Sequence, residues 1–230
     1  MGKFGIILSS EFFKVAKERN MKKILMMVAV LSFALLARCE KSENTARKAA
    51  HEVDGVIPDV LTAIKTRTSI RKFDATKMVS DEQIEKILRA GMAAPSAMNR
   101  QPWNFVVVKD KSQLARLAEK LPNSQIGNGA PLAIVVCGAV DNGLPGRGKE
   151  YWIHDCSAAS ENILLAAHGL GLGAVWTGVY PGEGRVAIVR EILSIPNEYM
   201  PLNVIPIGYP AESPTPKDKW DSLKVHTDRW

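Results

Sequence analysis

Ala93-Ala94-Pro95-Ser96-Ala97-Met98-Asn99-Arg100-Gln101-Pro102-Trp103-Asn104-Phe105 stands between a good helix and a good strand and is neither. Its two prolines forbid a continuous hydrogen-bonded ladder. Ala93, Ala94, Ser96 and Ala97 are small enough to let the backbone come close to another molecule. Ser96, Asn99 and Gln101 carry both donors and acceptors, which suits a ligand edged with N–H and C=O groups. Read alone, the stretch is also what an ordinary helix-to-strand loop looks like.

A second stretch lies upstream, Arg67-Thr68-Ser69-Ile70-Arg71-Lys72-Phe73. Two guanidinium forks flanking two hydroxyls within five positions match the needs of a phosphate monoester. Together the two stretches resemble the FMN-dependent nitroreductase family. That family's signatures run R-x-S-x-R-x-F and, a helix later, A-P-S-x-x-N-x-Q-P-W-x-F. Both are met residue by residue, and the resemblance extends from about Val60 to the C-terminus.

The resemblance implies an α+β fold, with a mixed, mostly antiparallel central sheet flanked by helices in an intertwined homodimer. It implies FMN at the dimer interface, with each chain lending residues to the other's site. Arg67, Thr68, Ser69 and Arg71 then bind phosphate and part of the flavin edge, joined near the phosphate by Lys217 and Lys219. Pro95, Ser96, Ala97, Met98, Asn99 and Gln101 lie along the ring and ribityl chain. Val175, Trp176, Thr177 and Gly178 cover the opposite region and offer backbone N–H to the redox nitrogen. The implied activity is hydride transfer from NAD(P)H to an electron-poor acceptor, nitroaromatic or quinone-like, in two half-reactions at one pocket. No catalytic acid or base and no metal is implied.

Each assignment has a purely structural alternative. The arginines can cap helices or form surface ion pairs, Trp176 can be a core aromatic, and Lys217 with Lys219 can be a solvated charge run. Rival functions are a non-catalytic flavin- or ligand-binding lipoprotein and a specialised reductase of the same fold. The second rival needs extra substrate-closing elements, for which the short 141–148 region leaves little room.

Apolar residues make up 46% of the 230-residue chain, enough for a sizeable core. The formal charge of +6 falls entirely on residues 1–50, with ten Lys/Arg against four Asp/Glu. From His51 onward the charges cancel, so no basic face for nucleic acid is expected. Residues 1–50 read as a leader and residues 51–230 as the FMN-binding domain.

Within the leader, Met21-Lys22-Lys23, an apolar run to Ala37 and then Arg38-Cys39-Glu40 have the layout of a bacterial secretory signal. The run is too short to span a bilayer comfortably. Leu36-Ala37-Arg38-Cys39 resembles a lipoprotein signal with Cys39 as lipid anchor, departing from it at Arg38. This implies the cell envelope, or the cytoplasm if the leader does not act so. Outside the cytoplasm NAD(P)H is scarce, and another redox protein becomes the donor.

Elsewhere, Asp59 to Thr66 reads as a short helix with Val60, Leu61 and Ile64 on one face. Ser80 and Gln83 form a capping box, stapled by Val79 and Ile84, ahead of a helix burying Ile84, Ile87, Leu88 and Gly91. A strand at 103–108, a helix at 111–120 and a buried strand at 132–136 follow. Residues 155–170 form a helix that is apolar nearly all round, hence buried. A turn at 169–173, a strand at 174–178, a helix at 185–193 and a strand at 202–208 complete the domain. His154 and His168 read as satisfied structural histidines, and Cys137 and Cys156 as small core residues. The Pro-rich tail from Pro210 cannot form a core of its own and must lie along another surface.

Overall fold

The computed structural model describes residues 59–230, except residue 143. The secretory and lipid-anchor readings at 21–39 lie outside the described residues.

Five strands form one sheet: β1 (Trp103–Val108), β2 (Leu132–Ala139), β3 (Gly173–Ala174), β4 (Thr177–Gly178) and β5 (Tyr199–Gly208). The order is β1-β2-β5-β3, with β4 also pairing β5. Every pairing among the described residues is antiparallel, so no parallel pair enters from this part of the chain. The helices are α1 (Val60–Thr66), α2 (Asp81–Met92), α3 (Lys111–Lys120), α4 (Tyr151–Gly169) and α5 (Glu183–Leu193).

β2 explains the layering. Side chains alternate across a strand, and all eight of its residues are buried. Leu132, Ile134 and Val136 enter one core with α2 and α4, through Ile87, Ile163 and Leu164. Ala133, Val135 and Cys137 enter a second with α3 and α5, through Leu117 and Val189. Burial pushes the thiols of Cys137 and Cys156 up to about 12, so both stay protonated.

The capping box forms as read: Ser80 Oγ accepts from Gln83 N–H, and Gln83 Oε1 accepts from Ser80 N–H. Several boundaries differ from the sequence reading. α4 begins four residues early, at Tyr151, with Trp152 buried against the sheet. The 141–148 region holds two 3₁₀ turns, Val140–Asn142 and Gly146–Glu150. β5 begins at Tyr199 and carries Pro201 and Pro206.

The strand read at 174–178 is two short pieces. β3 pairs through Ala174 with Ile207, and β4 through Thr177 with Val204. Pro206 therefore stands opposite Val175, where the ladder is broken. Pro206 pairs with Ala133 of β2 on one side, and lacking an N–H it has no hydrogen bond to donate on the other. Val175 and Trp176 form a short unpaired span as a result.

Val60, Leu61 and Ile64 do share a face of α1, but all three are exposed. The tail is exposed too, with Trp220 at 75% and Leu223 at 84%.

Candidate functional site

The 67–71 segment is held from four directions. Arg67 caps α1, its N–H reaching Ala63 O. Ile70 N–H donates to Ala174 O at 3.0 Å, tying the segment to β3. Asn128 Nδ2 donates to Arg71 O at 3.0 Å. Glu212 accepts from the N–H groups of Arg71 and Lys72, and Ala211 N–H reaches Lys72 O at 2.9 Å.

The tail pinned by Glu212 returns along the segment and closes a groove of about 680 Å³. Its walls carry Arg67, Thr68, Ser69 and Arg71 on one side and Lys217 and Lys219 on the other. Six residues named from the sequence thus meet around one space, with Lys65, Glu161 and Asp218 also lining it. Five cations against two carboxylates, with the hydroxyls of Thr68 and Ser69 among others, make an anion-binding donor set.

Sequence reasoning missed Glu161 and Glu212. Glu161 Oε1 lies 3.3 Å from Arg67 Nε and orients a guanidinium whose side chain is 19% exposed. Neither glutamate belongs to a motif. Only the fold brings residues 94 and 141 positions apart into contact.

His168 is satisfied, as expected: its Nε2 lies 2.9 Å from Thr66 Oγ1. Thr66 gives its single hydroxyl hydrogen to Thr62 O, so His168 Nε2 must carry the hydrogen and donate. Burial, then the nearby Arg67 charge, hold the ring's pKa below its ordinary value. An unfolded chain protonates this histidine first as pH falls through about 6.5. Stability is therefore full above that pH and declines below it, until the folded ring also protonates. Between pH 7 and pH 5 the melting temperature of wild type should fall more steeply than that of His168→Gln. Parallel curves would overturn this.

The 95–101 loop follows α2. Met98, Asn99 and Gln101 all have positive φ, at 49°, 55° and 49°. For residues other than glycine this region costs roughly 1–2 kcal/mol each, and such outliers concentrate where a backbone serves a ligand. Ser96 Oγ accepts Gln101 N–H at 2.9 Å and Asp155 Oδ1 accepts Ala97 N–H at 2.9 Å. The side-chain amides of Asn99 and Gln101 make no hydrogen bond among the described residues and face outward. Pro95 is exposed as well.

Val175 is buried beside the 67–71 segment, while Trp176 is 36% exposed and is no plain core aromatic. Thr177 Oγ1 donates to Ser124 O, and Gly178 O accepts from Arg185.

The structure does not place the 95–101 loop on the cationic groove of its own chain. The loop is tied to α4 at Asp155, and the groove meets α4 at Glu161. Six residues separate these points, about 9 Å along the axis.

The architecture has counterparts in known proteins. The nitroreductase family model matches residues 64–139 and 118–209. A Methanothermobacter thermautotrophicus protein, provisionally named an NADH dehydrogenase/NAD(P)H nitroreductase, is 48% identical over 80% of this chain and 95% of its own. A solved Parabacteroides distasonis structure with the same provisional name is 46% identical. Its TM-score is 0.70, covering 75% of this chain and 99% of that one. A Desulfovibrio desulfuricans structure, provisionally named a nitroreductase and solved in complex with FMN, is 30% identical with a TM-score of 0.63. It covers 75% of this chain and 98% of that one. With family model, sequence and fold in agreement, this chain belongs to the nitroreductase family.

Proposed function

We propose that the protein is an FMN-dependent NAD(P)H oxidoreductase acting on small electron-poor acceptors such as nitroaromatics or quinones. The cationic groove carries the reading: its guanidinium, ammonium and hydroxyl donors suit a phosphate monoester, the charged end of FMN. Bound FMN supplies hydride-carrying chemistry that no side chain possesses.

The chain's own residues bind and orient. Arg67, Arg71, Lys217 and Lys219 hold the phosphate, with Thr68 and Ser69 as hydroxyl donors. The outward amides of Asn99 and Gln101 suit the alternating donor–acceptor edge of a flavin. Pro95, Ser96, Ala97 and Met98 supply backbone and apolar surface beside the ring. The unpaired span at Val175 and Trp176, continuing into Thr177 and Gly178, offers backbone N–H groups where negative charge develops.

A homodimer completes the site in this reading. The lining of the described groove does not include the 95–101 loop of the same chain, and a loop supplied by a second copy fits this. The exposed faces of Val60, Leu61 and Ile64, and of Trp220 and Leu223, are apolar surface for such a partner to cover. Residues 51–230 form the catalytic domain in this proposal, and export through residues 21–39 with Cys39 as anchor is the alternative in which the donor changes. Were the protein exported, a redox protein would replace NAD(P)H as donor.

The test is an absorbance spectrum of purified protein before and after each nicotinamide, with molar mass measured in parallel. We expect a yellow dimer bleached by NADH or NADPH and recoloured by a quinone. Beginning the chain near Thr45 should leave this unchanged. A colourless protein overturns the cofactor, an unbleached yellow one overturns the donor, and a yellow monomer overturns the shared site.

A further inference from the structure

The 95–101 loop is an awkward piece of backbone. Three of its residues occupy the left-handed region, none of them glycine. Within the loop, Asn99 N–H donates to Ser96 O and Gln101 N–H to Ser96 Oγ. These bonds shape the turn but do not fix it to the fold. Of the side-chain hydrogen bonds described here, one reaches from the loop to another element: Ala97 N–H to Asp155 Oδ1 at 2.9 Å.

Asp155 is an unusual acceptor. It sits in the second turn of α4, 5% exposed, on a helix whose buried neighbours are Trp152, Cys156 and Ala159. A buried carboxylate is costly without a partner, and no cation pairs with it among the described residues. Its one described hydrogen bond goes to the loop.

From this geometry we infer that Asp155 is a positioning residue: its carboxylate sets the height and orientation of the 95–101 loop against the flavin ring. The inference rests on the FMN reading above. Asp155 acts at the loop, remote from the phosphate groove, so its loss weakens the ring end of the site and leaves the phosphate end intact. Asparagine at 155 keeps an acceptor oxygen, whereas leucine keeps only the volume.

The test uses the full chain, with FMN and riboflavin titrated by fluorescence and the visible spectrum of the bound flavin recorded. Asp155→Leu should weaken FMN and riboflavin alike, each by about tenfold, the scale of one hydrogen bond to a charged group. It should also shift the bound-flavin spectrum. Asp155→Asn should restore both affinity and spectrum. Wild-type affinity and spectrum in Asp155→Leu would overturn the inference, as would an Asp155→Asn protein as impaired as Asp155→Leu. If Asp155→Leu does not fold, Ala97→Pro tests the bond from the donor side. Ser96, at φ −139° and ψ 155°, already has the backbone a pre-proline residue adopts. Ala97→Pro should reproduce the parallel loss of both flavins, and undiminished binding of both would overturn the inference. A wild-type protein that binds neither flavin refutes the FMN reading itself, a result distinct from all of these.

Discussion

Arg67→Ala should lower FMN affinity by about 1.5–3 kcal/mol, a loss of roughly tenfold to more than a hundredfold. Arg67 earns this weight by preorganisation. Its side chain is 19% exposed, and Glu161, which also lines the groove, holds the guanidinium at 3.3 Å. A fork held in place before the ligand arrives loses little entropy on binding. Lysine at this position keeps the charge and loses the fork, so Arg67→Lys should fall between wild type and alanine. Riboflavin, which lacks the phosphate, should bind Arg67→Ala as it binds wild type. Titration with both flavins is the measurement. Undiminished FMN retention in Arg67→Ala would remove this residue from the site.

Gly173→Ala should destabilise the fold by about 1–3 kcal/mol, the range for overpacking a filled interior. A Cβ at Gly173 would lie 2.6 Å from Ile70 Cγ2 and 2.7 Å from Ile70 Cβ. Isoleucine is stiff at χ1, so the backbone must move to relieve the clash. That backbone carries Ser69 and Arg71 on either side of Ile70. Thermal melting should therefore drop by roughly 2–4 °C per kcal/mol for a chain of this size, and FMN affinity should drop with it. If the melting temperature holds, β3 does not need glycine to receive the segment. If stability falls while FMN affinity holds, the segment's position is independent of β3.

What the sequence disclosed was local, and what it withheld was distant. The Ser80–Gln83 box, the α2 stripe and the strand at Trp103 are written within a few residues of themselves. β2 betrayed itself by an unbroken apolar run, because a strand covered on both faces has no polar side. The groove was legible in part: the Arg67–Arg71 hydroxyl cluster and the Lys217–Lys219 pair stand out as residue types. The carboxylates that hold these cations and their backbone do not. Glu161 looks like an exposed helix residue and Glu212 like a tail residue until the chain folds. The break between β3 and β4 was hidden because its cause, Pro206, lies some thirty residues further along. The exposed face of α1 misled for a related reason: periodicity says which residues share a side, not whether the same chain covers it.

The protonated, buried thiols of Cys137 and Cys156 have a practical corollary. Alkylating probes attack thiolates, and neither sulfur presents one at neutral pH. A chain begun beyond Cys39 would then behave toward maleimides as though it had no cysteine. A single cysteine placed at Trp220 could be labelled alone, and its dye would report directly what the C-terminal tail rests upon.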